Sequence, residues 1–255
     1  MFRKSMVSVV LLVMSIVAVS SSVYSQSDIN PNEPMPFYLL TIRGTLAAAT
    51  LEDAQAMHNE TAGAPESMAA ARSMGDLSHM VYVPLAPAET GAGEVLFMDQ
   101  WNSIEGLNQF FANPDVQEQA DQLFSEHDAV VWTPAEGFYS YHLSTPYGND
   151  DRVIAMVSGT VRSREEAMAV HNAIVGSQIN VAHMAGDLSH EAYFRLSPPG
   201  EPESLEFLAV DVWNNAEGMA AYYGDPNFQS GVLQLFTAAP TVSAWNQTTG
   251  EWVEW

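Results

Sequence analysis

Gly75-Asp76-Leu77-Ser78-His79 returns unchanged as Gly186-Asp187-Leu188-Ser189-His190, 111 residues later. The flanks return with it. Met57-His58-Asn59-Glu60-Thr61-Ala62-Gly63 is answered by Val170-His171-Asn172-Ala173-Ile174-Val175-Gly176 at an offset of 113. Asp99-Gln100-Trp101-Asn102 is answered by Asp211-Val212-Trp213-Asn214, Glu105-Gly106 by Glu217-Gly218, and Asn113-Pro114 by Asp225-Pro226, all at 112. Collinear matches at a nearly constant spacing mean a duplication, with a period too long for a solenoid unit and right for a small domain. The joint falls in the turn-rich stretch from Ser144 to Asp150, which divides the chain into units 36–146 and 147–255.

Each unit reads in the same order. First strands are expected at Phe37–Thr45 and Arg152–Val161, from their content of β-formers. Helical spacing of apolar residues covers Leu51–Asn59 and Arg164–Val175. Second strands follow at His79–Leu85 and His190–Leu196, and third strands at Glu94–Trp101 and Leu205–Trp213. A second helix spans Ser103–Phe124 and Asn215–Phe236, broken near Pro114 and Pro226. Fourth strands lie at Ala129–Thr133 and Thr241–Trp245. The order βαββαβ is the ferredoxin-like split unit, an α+β fold whose antiparallel sheet is covered by helices on one face. The other face must also be buried. Two units in one chain meet that need by packing together as a fused, pseudo-dimeric α/β barrel.

The N-terminus reads as an export signal. Arg3 and Lys4 precede an apolar run from Met6 to Val19, and small Val23 and Ser25 stand before Gln26. This is the pattern of a secretory signal peptide over 1–25, followed by a linker over 26–35. The expected location is periplasmic or secreted. Once Arg3 and Lys4 are removed with the signal, six arginines face 31 acidic residues, and no lysine remains. Such a surface repels nucleic acid and anionic membranes, because binding there needs Lys and Arg to displace counterions. No segment after the signal is long and apolar enough to span a bilayer. The chain has no cysteine, which excludes disulfides, thiol nucleophiles and zinc-thiolate sites.

A third strand ending Asp99-Gln100-Trp101, then Asn102-Ser103-Ile104-Glu105-Gly106-Leu107, then Phe110-Phe111-Ala112-Asn113-Pro114-Asp115-Val116-Gln117, resembles the antibiotic biosynthesis monooxygenase-like domains of the dimeric α/β-barrel superfamily. The second unit, from Asp211 through Asp225-Pro226-Asn227-Phe228, is similar. The resemblance implies a barrel fold. It also implies an activity drawn from a varied group: cofactor-free oxygenases, heme-degrading oxygenases, heme peroxidase relatives, isomerase-like members and members without activity. Family members often carry a histidine in the second helix where this chain has Phe110 and Tyr222. A unit that normally dimerises has its partner built in, so a monomer is expected.

The polar residues shared by both halves are the candidates for chemistry. His58 lies on the apolar stripe of its helix, four residues after Ala54, and His171 likewise follows Ala167. His79 shares a strand face with Val81 and Val83, and His190 with Ala192 and Phe194. His58, Asn59 and His79, with His171, Asn172 and His190, are therefore catalytic candidates placed between helix and sheet. With Asp76 or Asp187 the histidines of a unit could form a two-histidine, one-carboxylate metal site. Iron or heme stays open beside a cofactor-free pocket. Asp99 and Trp101, with Asp211 and Trp213, are ligand-binding candidates if their strand face lines the barrel, as an aromatic wall with a carboxylate able to act as a base. The alternatives are a hydrogen-bonded structural network for the histidines and helix capping for the aspartates. Three functions follow: an oxygenase acting on a small aromatic or polyketide-like molecule, a non-catalytic binder of a small hydrophobic ligand or heme, and a purely structural domain pair.

Overall fold

A computed structural model describes residues 37–86, 91–143, 152–248 and 251–255. The expected signal peptide, the linker and the joint between the units lie outside the described residues.

The first half runs β1 (Tyr38–Leu46), α1 (Leu51–Glu60), α2 (Pro65–Ser73), β2 (Asp76–Pro84), β3 (Glu94–Trp101), α3 (Ile104–Phe111), α4 (Pro114–Leu123) and β4 (Phe124–Pro134). A short β5 (Tyr141–His142) follows. The second half runs β6 (Val153–Thr160), α5 (Arg164–Ala185), β7 (Asp187–Arg195), β8 (Glu206–Trp213), α6 (Ala216–Tyr223), α7 (Pro226–Leu235) and β9 (Thr241–Gln247). The halves form sheets in the order β4-β1-β3-β2 and β9-β6-β8-β7, every pair antiparallel. Two junctions close them into one eight-stranded barrel. Strand β2 pairs with β9 through Tyr82 and Gln247, and β4 pairs with β7 through Trp132 and Arg195. This is the α+β, fused-barrel architecture expected from the repeat.

The barrel interior is filled by residues of both halves, among them Leu39, Leu96, Trp132, Ile154, Leu208 and Trp245. The opposite strand faces look outward at the helices, with Leu40, Ile42, Phe97 and Trp101 in one half and Val157, Phe194 and Phe207 in the other. Alternation along each strand thus separates one barrel core from the helix-facing cores. It also corrects an expectation. The face holding Phe97, Asp99 and Trp101 packs under the helices and does not line the barrel.

The repeated motifs have steric causes. Gly75 and Gly186 sit at φ +109° and +107°, a backbone region that side chains disfavour. A β-carbon on Gly106 would stand 1.7 Å from the Met74 carbonyl oxygen, and one on Gly218 1.8 Å from that of Ala185. Asn113 and Asp225 cap helices whose first residue is proline, which ends the preceding helix at α3 and α6. The halves differ at one helix. Pro65 starts a separate α2 in the first half, whereas α5 continues unbroken to Ala185, ten residues beyond the sequence expectation.

Beyond its fourth strand, each half lends a tail to the other. Phe138 packs on His171 and Trp252 on His58, each with ring centres 5.0 Å apart. The backbone of Trp255 exchanges hydrogen bonds of 2.8 and 3.1 Å with that of His79, while Leu143 donates to Leu188 at 2.7 Å. Trp252 is 4% exposed. Its replacement by alanine is expected to lower unfolding free energy by about 3–5 kcal/mol, the range for buried aromatics. Denaturant unfolding checks this, and a loss below about 1 kcal/mol would mean that the tail is not seated there.

Candidate functional site

Helix α1 carries His58 and Asn59, strand β2 carries Asp76 and His79, and β3 carries Asp99 in register opposite His79. In the second half α5, β7 and β8 place His171, Asn172, Asp187, His190 and Asp211 in the same way. The two histidines of each unit meet. Nε2 of His58 lies 3.0 Å from Nε2 of His79, and Nε2 of His171 lies 2.8 Å from Nε2 of His190. All four are buried.

Their protons can be assigned from the amides at one end. Asn59 Oδ1 accepts from the Val253 backbone N–H at 2.8 Å, and its Nδ2 donates to the Glu251 carbonyl at 3.0 Å. With the amide fixed by two tail groups, His58 Nδ1, 3.1 Å from that Oδ1, is a donor. His58 Nε2 then accepts from His79 Nε2. His79 Nδ1 faces Asp99 Oδ1 at 2.7 Å. The second half repeats the logic. Asn172 Oδ1 accepts from Tyr139 N–H and its Nδ2 donates to Gly137, both at 2.8 Å. His171 Nδ1 lies 3.1 Å from that oxygen, and His190 Nδ1 lies 2.5 Å from Asp211 Oδ1.

The charges follow the geometry. Burial, with a positive neighbour at His79, pushes His58 down to about 4, and burial beside His190 does the same to His171, also to about 4. Burial alone would lower His79 and His190 too. The adjoining carboxylates of Asp99 and Asp211 overcome it, and both imidazoles end above their ordinary value. Each unit therefore holds a neutral inner histidine and a cationic outer one paired with an aspartate.

Asp76 and Asp187 stand one step away. Trp255 Nε1 donates to Asp76 Oδ2 at 2.9 Å, and the Tyr141 hydroxyl donates to Asp187 Oδ2 at 2.5 Å. The other oxygen of each carboxyl, Oδ1, is buried without a hydrogen-bond partner. Burial and the nearby Asp99 or Asp211 push both up to about 7.

Metal binding does not fit this arrangement. The paired Nε2 atoms are turned toward one another at hydrogen-bond distance, so their lone pair and proton are already used. Among the described residues no group of three or more His, Asp or Glu side chains is arranged to hold a metal ion. The expected sets His58, Asp76, His79 and His171, Asp187, His190 accordingly do not converge, because Asp99 and Asp211 occupy the carboxylate position beside the outer histidines. Trp101 and Trp213, expected as ligand-binding walls, are fully buried against Phe110 and Phe111 and against Tyr222 and Tyr223.

Only partial symmetry survives beside the networks. In the second half a cavity of about 50 Å³ is lined by His171, Asp187, His190, Ala209 and Asp211, with apolar walls from α5 and α7. That volume holds a few waters, at roughly 10–15 Å³ each, or a diatomic gas. The first half has Phe97 where the second has Ala209, and its ring packs 5.2 Å from His58 and 5.1 Å from His79. The Tyr223 hydroxyl donates to Asp211 Oδ2, at the position of Phe111 in the first half. A heme has no space in a cavity of this size.

The sequence reading missed the tails, Tyr141 and Tyr223. A signal for the tails was present: Phe138 and Tyr141, three apart, answer Trp252 and Trp255 at an offset of 114.

No protein-family model and no curated protein sequence matches the chain. Solved structures do. An anthrone oxidase-like protein aligns at 14% identity and a TM-score of 0.58, over 85% of this chain and 92% of its own. A protein solved under the name of a monooxygenase from Fusobacterium nucleatum aligns at 9% and 0.54, over 84% and 94%. A variant of chlorite dismutase from Candidatus Nitrospira defluvii aligns at 11% and 0.52, over 85% and 92%. The chain has the fold of these structures, a barrel closed from two fused α+β halves. At such identities the likeness is one of fold, and the residues above carry any argument about chemistry.

Two tests follow from the network. His190→Ala leaves the buried Asp211 charge without its cation and is expected to cost about 3–5 kcal/mol in denaturant unfolding, whereas a network of no consequence would cost less than about 1. Asp187 binds its proton more tightly when folded, so its contribution to stability falls as pH rises from about 4 to about 7. Asp187→Asn is therefore expected to gain stability relative to the native chain at pH 8 but not at pH 4, checked by unfolding at both. An equal effect at both would contradict the raised carboxyl.

Proposed function

We propose that the second half is an oxygenase-type reaction centre for a small aromatic or polyketide-like molecule bearing an acidic C–H or O–H, and that the first half keeps the same network as scaffold. The observation that carries this is Asp187, which lines the cavity and whose Oδ1 is buried without a hydrogen-bond partner. A carboxyl pushed up to about 7 is populated in both protonation states near neutrality, as a general base requires. His190 has given both ring N–H groups to His171 and Asp211, so it favours the anion that proton removal leaves through its charge and not through a hydrogen bond. Such an electron-rich anion supplies the electrons to dioxygen and bonds to it as a hydroperoxide, which loses water to leave a carbonyl. One oxygen atom thus enters the product, the other leaves as water, and no outside reductant is needed. The cavity has room for the diatomic. Anthrone, named for one of the similar structures, has a methylene of this acidity. The neutral His171 serves as the anchor of His190 and not as the base, since its Nε2 lone pair is engaged.

A second reading, binding of a small hydrophobic molecule without turnover, is favoured by the completeness of both histidine networks, whose ring nitrogens all have partners. We also propose export to the periplasm or beyond, supported by the basic and apolar pattern at residues 3–25, and a monomeric state, supported by the closed intramolecular barrel. Among the described residues no helix is long and apolar enough to cross a membrane.

Oxygen uptake with anthrone tests the catalytic reading. The native chain is expected to exceed autoxidation, Asp187→Asn to lose about 100-fold or more, and Asp76→Asn to keep the rate, since a positioned base contributes about that much. Uptake no faster than autoxidation, or an unimpaired Asp187→Asn, would overturn it in favour of binding alone.

A further inference from the structure

Outside the cavity, α5 and α7 leave a groove of about 530 Å³ between them. Its rim is formed by Ser177 and Gln178 on one helix and Ser230 and Gln234 on the other. No Asp, Glu, Lys or Arg lines it among the described residues, in a chain with 31 acidic residues. Two side chains belong to both spaces. Ile174 and Phe228 form the floor of the groove and the outer wall of the buried cavity. Gly231 lets the α7 backbone pack closely on Ile174, since a β-carbon there would lie 3.1 Å from Ile174 Cγ1. Behind this wall, Phe228 packs on Tyr222 and Tyr223, with ring centres at 4.6 and 5.1 Å, and the Tyr223 hydroxyl reaches Asp211.

We propose that this groove is an outer binding site for an uncharged, planar aromatic molecule, and that Ile174 and Phe228 form the gate through which it meets the cavity. The chemistry of the lining selects the ligand. Amide and hydroxyl groups at the rim pair with a ligand's hydroxyl or carbonyl, and the aromatic floor offers a ring face. An anion gains nothing there, for no cation lies in the lining and Asp187 and Asp211 stand behind the gate. The proposal rests on the reading of the second half as the working one and names its substrate class. It also separates two tasks: the groove takes the ring system, while the small inner cavity takes dioxygen and the reacting edge.

Isothermal titration of the full chain with 2-naphthol and with naphthalene-2-sulfonate tests it. The naphthol is expected to bind, and the sulfonate to bind at least about tenfold more weakly. Ser177→Trp and Ser230→Trp, exposed positions on facing helices whose variants can be checked for native circular dichroism, are each expected to weaken naphthol binding about tenfold or more by filling the groove. Titration reads binding without turnover, so a failure of catalysis leaves this result standing. No naphthol binding by the native chain, equal binding of the sulfonate, or native-like binding by both folded tryptophan variants would overturn the proposal.

Discussion

Each half of the barrel depends on one proton held between two imidazoles. The chain of contacts begins at a tail backbone, passes through an asparagine amide and two histidines, and ends on a strand carboxylate. It ties helix, two strands and the tail of the opposite half into one object. In a low-dielectric interior such a chain is stable only when every member is satisfied, since an unpaired charge there is far costlier than in water. That requirement explains why His58, Asn59, His79 and Asp99 recur as His171, Asn172, His190 and Asp211, although much of the sequence around them differs.

The tails make the two halves interdependent. The barrel already joins the halves through its strands, and the crossed tails join the two networks as well. Crossing over, Trp252 and Trp255 roof the first network, and Phe138 and Tyr141 roof the second. The sheet junctions β2 with β9 and β4 with β7 fix the geometry that lets each tail reach. Against this shared frame, a few substitutions set the halves apart. Phe97 fills what Ala209 leaves open, Phe111 lacks the hydroxyl of Tyr223, and the break at Pro65 ends the helix that α5 continues along the groove.

Much of the fold was legible because a repeat doubles every signal. The strand and helix order, the breaks at Pro114 and Pro226, and the meeting of His58 with His79 all follow from periods of two and 3.6 and from proline chemistry. The extension of α5 to Ala185 was not legible, since Gly176 and the polar residues beyond it interrupt the apolar spacing. The direction faced by Asp99 was half legible: alternation grouped it with Phe97 and Trp101, but which side of a barrel strand looks inward depends on closure between the halves. Pairing of Asp99, and not Asp76, with His79 depends on β2–β3 register, which includes a bulge between Asp76 and Ser78. No pattern in one strand reveals the register of two.

The distribution of protons in the two networks decides how each half works, and nitrogen-15 NMR of the histidine rings at pH 7 measures it most directly. Neutral rings protonated at Nδ1 are expected for His58 and His171, and doubly protonated rings for His79 and His190. Four neutral rings, or a cationic His58 or His171, would contradict this distribution.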